Sequence, residues 1–129
     1  MVGRNVLGGE LQLCGTTPVT GFTRSGRCLV TVEDVGNHGV CAVMTEEFLT
    51  HQFQVGNDLL TPHPEWQFPG LRPGDRWCVV ALRWLQSAHA DRAAPVVLAS
   101  THEAVLQLVP LELLQHHAVD VPEDPSSLL

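Results

Sequence analysis

Between residues 56 and 78 the chain reads GNDLLTPHPEWQFPGLRPGDRWC, and this stretch limits any fold that can be built around it. It holds four of the nine prolines and two of the three tryptophans. Each proline fixes φ and removes a backbone donor, so no helix interior or central strand can run through Pro62, Pro64, Pro69 and Pro73. Leu59, Leu60, Trp66, Phe68 and Leu71 are too apolar for a solvated linker. Residues 57–74 are therefore expected to form an ordered wrap, stiffened by proline and tied down by Trp66 and Phe68. Loops of this length in compact domains are commonly functional. Such a wrap either covers an open sheet face or lines a pocket, and the sequence leaves both open.

The flanks of the loop carry the clearest local signals. Thr45 precedes Glu46 and Glu47, which suit the positive end of a helix, and Gly56 sits where a left-handed terminator belongs. A helix over 46–55 follows. Beyond the loop, Asp75 reads as an N-cap. Trp77, Val80, Ala81, Trp84, Leu85 and Ala88 then share one face at helical spacing, which predicts a second helix. VCAVM, 40–44, is apolar on both faces and reads as a buried strand. CLVTV, 28–32, and the β-branched start of 96–100 read as further strands, and 5–14 as a short edge strand broken by Gly8 and Gly9. AVLQLV, 104–109, is either a hairpin partner of 96–100 or a helix capped by Ser100 and Glu103, and Pro110 opens a last helix over 111–117. The pattern predicts an α+β, two-layer single domain over 1–118, with a small mixed sheet and two or three helices. An acidic, proline-broken tail follows over 119–129.

Composition narrows the chemistry. A chain of 129 residues that is 44% hydrophobic builds one core without a metal or disulfide staple. No apolar run is long enough to cross a membrane and no leader-like segment opens the chain, so the expectation is a cytoplasmic protein with four reduced cysteines. All seven basic residues are arginine, which excludes lysine Schiff-base chemistry and a GxxxxGK[ST] phosphate loop. The arginines are scattered and the net charge is −7, so no nucleic-acid stripe forms. No GxSxG elbow occurs.

NVLGGEL, DVGNHGVCAVMTEEFL, GNDLLTP, FPGLRPGDRWC, RWL, APVVL and STHEAVL, in this order across 5–118, resemble the uncharacterised bacterial family called domain of unknown function 2237. The resemblance implies a compact α+β domain and brings no activity, cofactor or substrate. Where members of that family often carry further cysteines, this chain has Arg27 and Val80, which favours a structural role for the four that remain.

Cys28, His38 and Cys41 are the candidate metal ligands, with thiolate and imidazole suited to zinc, but no CxxC pair occurs and no cofactor is expected. Cys78, in the first turn of the expected second helix, is a candidate reactive thiol. His102, beside Glu103, is a candidate base. Asn57, Asp58, Trp66, Asp75, Arg76 and Trp77 frame the loop and are the candidate ligand-binding residues. The reading these residues support is a small binding module with a pocket under the 56–75 loop for a small polar or anionic ligand. The alternatives are a thiol- or histidine-dependent enzyme at the same mouth and a structural or oligomer-forming subunit.

Overall fold

A computed structural model describes residues 3–120, so most of the acidic tail, 121–129, lies outside the described residues. Two antiparallel strands, β1 (Val40–Val43) and β2 (Arg76–Val79), form the sheet. Three helices accompany it: α1 (Glu46–Gln54), α2 (Ala81–His89) and α3 (Leu111–His116). The α+β expectation holds. Mixed pairing is confined to single bridges, Val96 meeting Ala42 antiparallel and Ala118 parallel.

The first helix follows its sequence signals. The Thr45 hydroxyl accepts the Phe48 N–H at 3.1 Å, Glu46 and Glu47 fill the first turn, and Gly56 leaves the helix at φ +95°. Phe48, Leu49 and Gln52 are buried against the rest of the chain. Gln52 Nε2 donates to the Arg83 carbonyl at 2.9 Å and to Ser87 Oγ at 2.6 Å, so α1 meets α2 through a buried polar contact.

The expected helix start at Asp75 is corrected. Residues 76–79 form β2, in register Val40↔Val79, Cys41↔Cys78 and Ala42↔Trp77, and the second helix opens only at Ala81. Both faces of this sheet are covered. Val40, Ala42, Trp77 and Val79 join the main core with Phe48, Trp84 and Leu98, whereas Cys41 and Cys78 join a second cluster with Cys14, Cys28 and Val97. A strand buried on both sides shows no polar alternation, which let Trp77 pass for the first residue of a helical stripe. Asp75 caps a turn instead, its Oδ2 accepting the Arg72 N–H at 2.9 Å.

Three other strand expectations are corrected. Residues 28–32 are irregular, 96–100 contributes only the two bridges of Val96 before a 3₁₀ turn at Leu98–Ser100, and 5–14 offers only isolated bridges. The 104–109 segment takes its helical alternative, a 3₁₀ helix at Glu103–Gln107. The cap there is His102, and Ser100 Oγ donates instead to the Leu13 carbonyl. The start of the tail is pinned, because the Asp120 carboxylate accepts the Leu98 and Ala99 N–H groups at 2.8 and 3.0 Å.

The expectation of four reduced cysteines is also corrected. Cys14 is bonded to Cys41 and Cys28 to Cys78, and no cysteine is free. Residues without regular structure, 3–39, are thereby stitched to both strands of the sheet.

Candidate functional site

The proline-rich segment is an ordered wrap. The His63 and Phe68 backbones bridge, and Pro64–Trp66 makes a 3₁₀ turn closed by Gln67 in the left-handed region at φ 55°. The Leu71 N–H donates to the Leu59 carbonyl at 2.9 Å. Gly70, at φ +78°, passes so close to the Leu60 carbonyl that a Cβ there would collide with it. The wrap thus needs glycine at this position for two independent reasons.

A cavity of about 450 Å³ opens between this wrap, the edge of β2 and the 22–38 segment. Its aromatic walls are Phe22, Trp66, Phe68 and Trp77. Phe68 meets Trp77 edge to face at 5.3 Å, and Trp66 stacks on His63 at 4.6 Å. Trp77 is 7% exposed and rigidly held by the sheet, whereas Trp66 is 65% exposed at the rim. Arg24 sits with its guanidinium carbon 4.9 Å from the centre of the Trp77 ring system, and its Nη1 donates to the Gly21 carbonyl at 3.1 Å. Among the described residues Arg24 has no carboxylate partner. Its backbone is left-handed at φ 56°, a conformation that disfavours a residue with a Cβ by about 1–2 kcal/mol.

Three carboxylates bear on the cavity, and all are already committed, Glu65 Oε1 lying 3.0 Å from Nδ1 of the lining residue His63. Thr61 donates its hydroxyl and then its N–H to Asp58, followed by the Leu60 N–H and the charge of His63. Together these hold the Asp58 carboxyl below the usual range. Asp34 is fully buried. Its Oδ1 lies 2.6 Å from His38 Nδ1 and its Oδ2 accepts the His38 N–H at 2.7 Å. The carboxylate makes Nδ1 a protonated nitrogen of the His38 ring, and that ring forms part of the cavity wall. Arg24 is therefore the cation of this site without a counter-charge of its own.

The structure separates the residues singled out in the sequence. Asp58, Trp66 and Trp77 line the cavity. Asn57 borders a smaller adjoining space of about 50 Å³, and its Nδ2 donates to Gln52 Oε1 at 2.8 Å. Asp75 and Arg76 lie outside both linings, Arg76 being exposed on β2. Cys78 is 1% exposed and its sulfur is bonded to Cys28, so it carries no free thiol. His102 lines neither space, and its Nδ1 accepts the Ala104 N–H at 3.0 Å. Burial pushes the His102 pKa down, with Glu103 opposing. His38 is engaged with Asp34, while Cys28 and Cys41 belong to different disulfides. Phe22, Arg24 and Phe68 are cavity walls that the candidate set lacks. Phe68 was legible as an anchor. Phe22 and Arg24 sit in GFTRSGR, which announces a turn and nothing about where that turn packs.

The chain belongs to the bacterial family DUF2237, described as uncharacterized proteins conserved in bacteria, whose model matches residues 4–118. No curated protein matches it. Among the described residues no helix is long and apolar enough to cross a membrane.

Proposed function

We propose that this member of the family is a binding module for a small anionic ligand with a flat apolar part, held in the cavity beneath the 56–75 loop. The observation that carries the reading is the Arg24 guanidinium over Trp77, in a space walled by Phe22, Trp66 and Phe68. The volume of about 450 Å³ suits a small metabolite. Aromatic faces supply the apolar contact, and a guanidinium oriented by stacking and by the Gly21 carbonyl is preorganised for a carboxylate or similar anion. Maintaining a left-handed arginine where glycine would relieve the backbone also favours a role for the side chain.

Tryptophan-fluorescence titration with benzoate and other aromatic monocarboxylates, against benzylamine as the cationic control, tests this. Saturable binding of at least one carboxylate is expected, with benzylamine inert. Arg24→Gly, which keeps the backbone geometry, is expected to fold normally and to bind about tenfold more weakly or worse. Equal affinity of wild type and Arg24→Gly, or binding of no carboxylate, overturns the reading.

The buried Asp34 behind His38 favours a second reading, in which the same cavity performs a histidine-dependent reaction with His38 as base. Under it, His38→Gln leaves carboxylate binding intact and abolishes turnover; under simple binding no turnover exists to lose.

A further inference from the structure

The two disulfides are neighbours, and their sulfurs form one cluster. Cys41 and Cys78 face each other across the sheet. The Cys41 N–H donates to Thr101 Oγ1 at 3.1 Å and the Cys78 N–H to Thr20 Oγ1 at 2.8 Å, so neither amide bonds across to the other strand. They are therefore a non-hydrogen-bonded antiparallel pair, the kind whose side chains stand closest. Yet they are not bonded to each other; each reaches a loop cysteine, Cys14 or Cys28. The Sγ atoms of Cys14, Cys28 and Cys78 all lie within 4.8 Å of one another, and Cys41 Sγ is bonded to that of Cys14. All four residues are at most 2% exposed.

Four sulfurs of a tetrahedral tetrathiolate, at about 2.3 Å from the metal, lie about 3.8 Å apart. Once both disulfides open, each bonded pair separates to that spacing, and the Cys41 sulfur, which lies outside the group of three, draws in toward the others. We propose that, when reduced, Cys14, Cys28, Cys41 and Cys78 form a closed site for one thiophilic divalent cation of the zinc class. Two equivalents of a phosphine and two of water reduce the two disulfides to four thiols, the phosphine leaving as its oxide. The cation then binds four thiolates and releases four protons. Two equivalents of hydrogen peroxide reverse the sequence: four electrons leave the thiolates, two disulfides form, the cation is expelled and, with four protons taken up, four waters result. The thiols reside on the two paired strands and on two loops, so either state ties the same segments together.

The test uses the full chain, reduced anaerobically with a phosphine and titrated with cobalt(II) as the spectroscopic probe, with far-UV circular dichroism recorded throughout. The expected result is one cobalt per chain with the absorption of tetrahedral thiolate ligation, displaced by one equivalent of zinc, and no such binding to the oxidised chain. Should the reduced chain unfold, cobalt is expected to restore the native spectrum. Cys28→Ser is expected to weaken binding at least about tenfold. Because that variant alters packing, the wild-type comparison of reduced with oxidised protein stands as the independent readout. No thiolate-type spectrum in the reduced wild type, no recovery of fold by metal, or affinity unchanged in Cys28→Ser overturns the proposal.

Discussion

Removing one disulfide while leaving the other measures how much the cross-links contribute. In the double variant Cys28→Ala, Cys78→Ala, the lost bond spans 50 residues of sequence. Loop-closure entropy for that span corresponds to about 4 kcal/mol at 25 °C, and for the 27-residue span of Cys14–Cys41 to about 3.5 kcal/mol. Cys28 lies inside the loop closed by Cys14 and Cys41, so the closures interlock and each contributes somewhat less when the other is in place. Alanine avoids burying an unpaired hydroxyl in a site that is at most 2% exposed. Each double variant is thus expected to lose about 3–4 kcal/mol, a large part of a domain's usual 5–15 kcal/mol. Equilibrium guanidinium unfolding without reductant, followed by tryptophan fluorescence, reads this directly. Four titratable thiols in denatured, never-reduced wild type, or a loss below about 1 kcal/mol both in this variant and in Cys14→Ala, Cys41→Ala, would show that the cross-links do not hold the fold.

Three further outcomes follow from individual contacts. Gln52→Ala removes a fully buried amide from Ser87, Arg83 and Asn57, and is expected to lose at least about 1–3 kcal/mol in the same unfolding assay, more than Gln54→Ala on the exposed face. Gly70→Ala meets both a left-handed φ and the Leu60 carbonyl, so it is expected to lower the melting temperature and weaken carboxylate binding together. Burial holds the folded pKa of His102 below its ordinary 6.5, so the neutral ring is the form the fold prefers. The stability it contributes is fully present above about pH 6.5 and declines as pH falls through the lowered folded value. His102→Asn keeps a capping acceptor without titrating, and it is expected to flatten that decline in a pH series of melting temperatures.

Local grammar was legible in the sequence wherever one residue decides one bond. Thr45, Glu46, Glu47 and Gly56 bounded α1, and the prolines with Trp66 and Phe68 announced an ordered wrap. What escaped was set by partners distant in the chain. β2 resembles a helical stripe in sequence because its Cys78 face is covered by segments far from it in the chain, which erases the alternation that marks a strand. The expectation of reduced thiols follows from the absence of a leader-like segment and a cytoplasmic setting, and the spacing of four cysteines does not show which of them meet. Arg24 was missed for the same reason: its position over Trp77 depends on a left-handed turn and on β2 being a strand.

The three tryptophans provide an internal comparison for ligand binding beneath the 56–75 loop. Trp66 and Trp77 line the cavity, while Trp84 is fully buried, with its Nε1 donating to the Ala94 carbonyl at 2.9 Å. Indole ¹H–¹⁵N resonances recorded during titration with the aromatic carboxylates distinguish the sites in one spectrum. Saturable shifts of the Trp66 and Trp77 indoles are expected with Trp84 unmoved, and both are lost in Arg24→Gly. Absence of shifts with every carboxylate, or shifts that involve Trp84 as strongly as Trp77, would contradict binding beneath the loop.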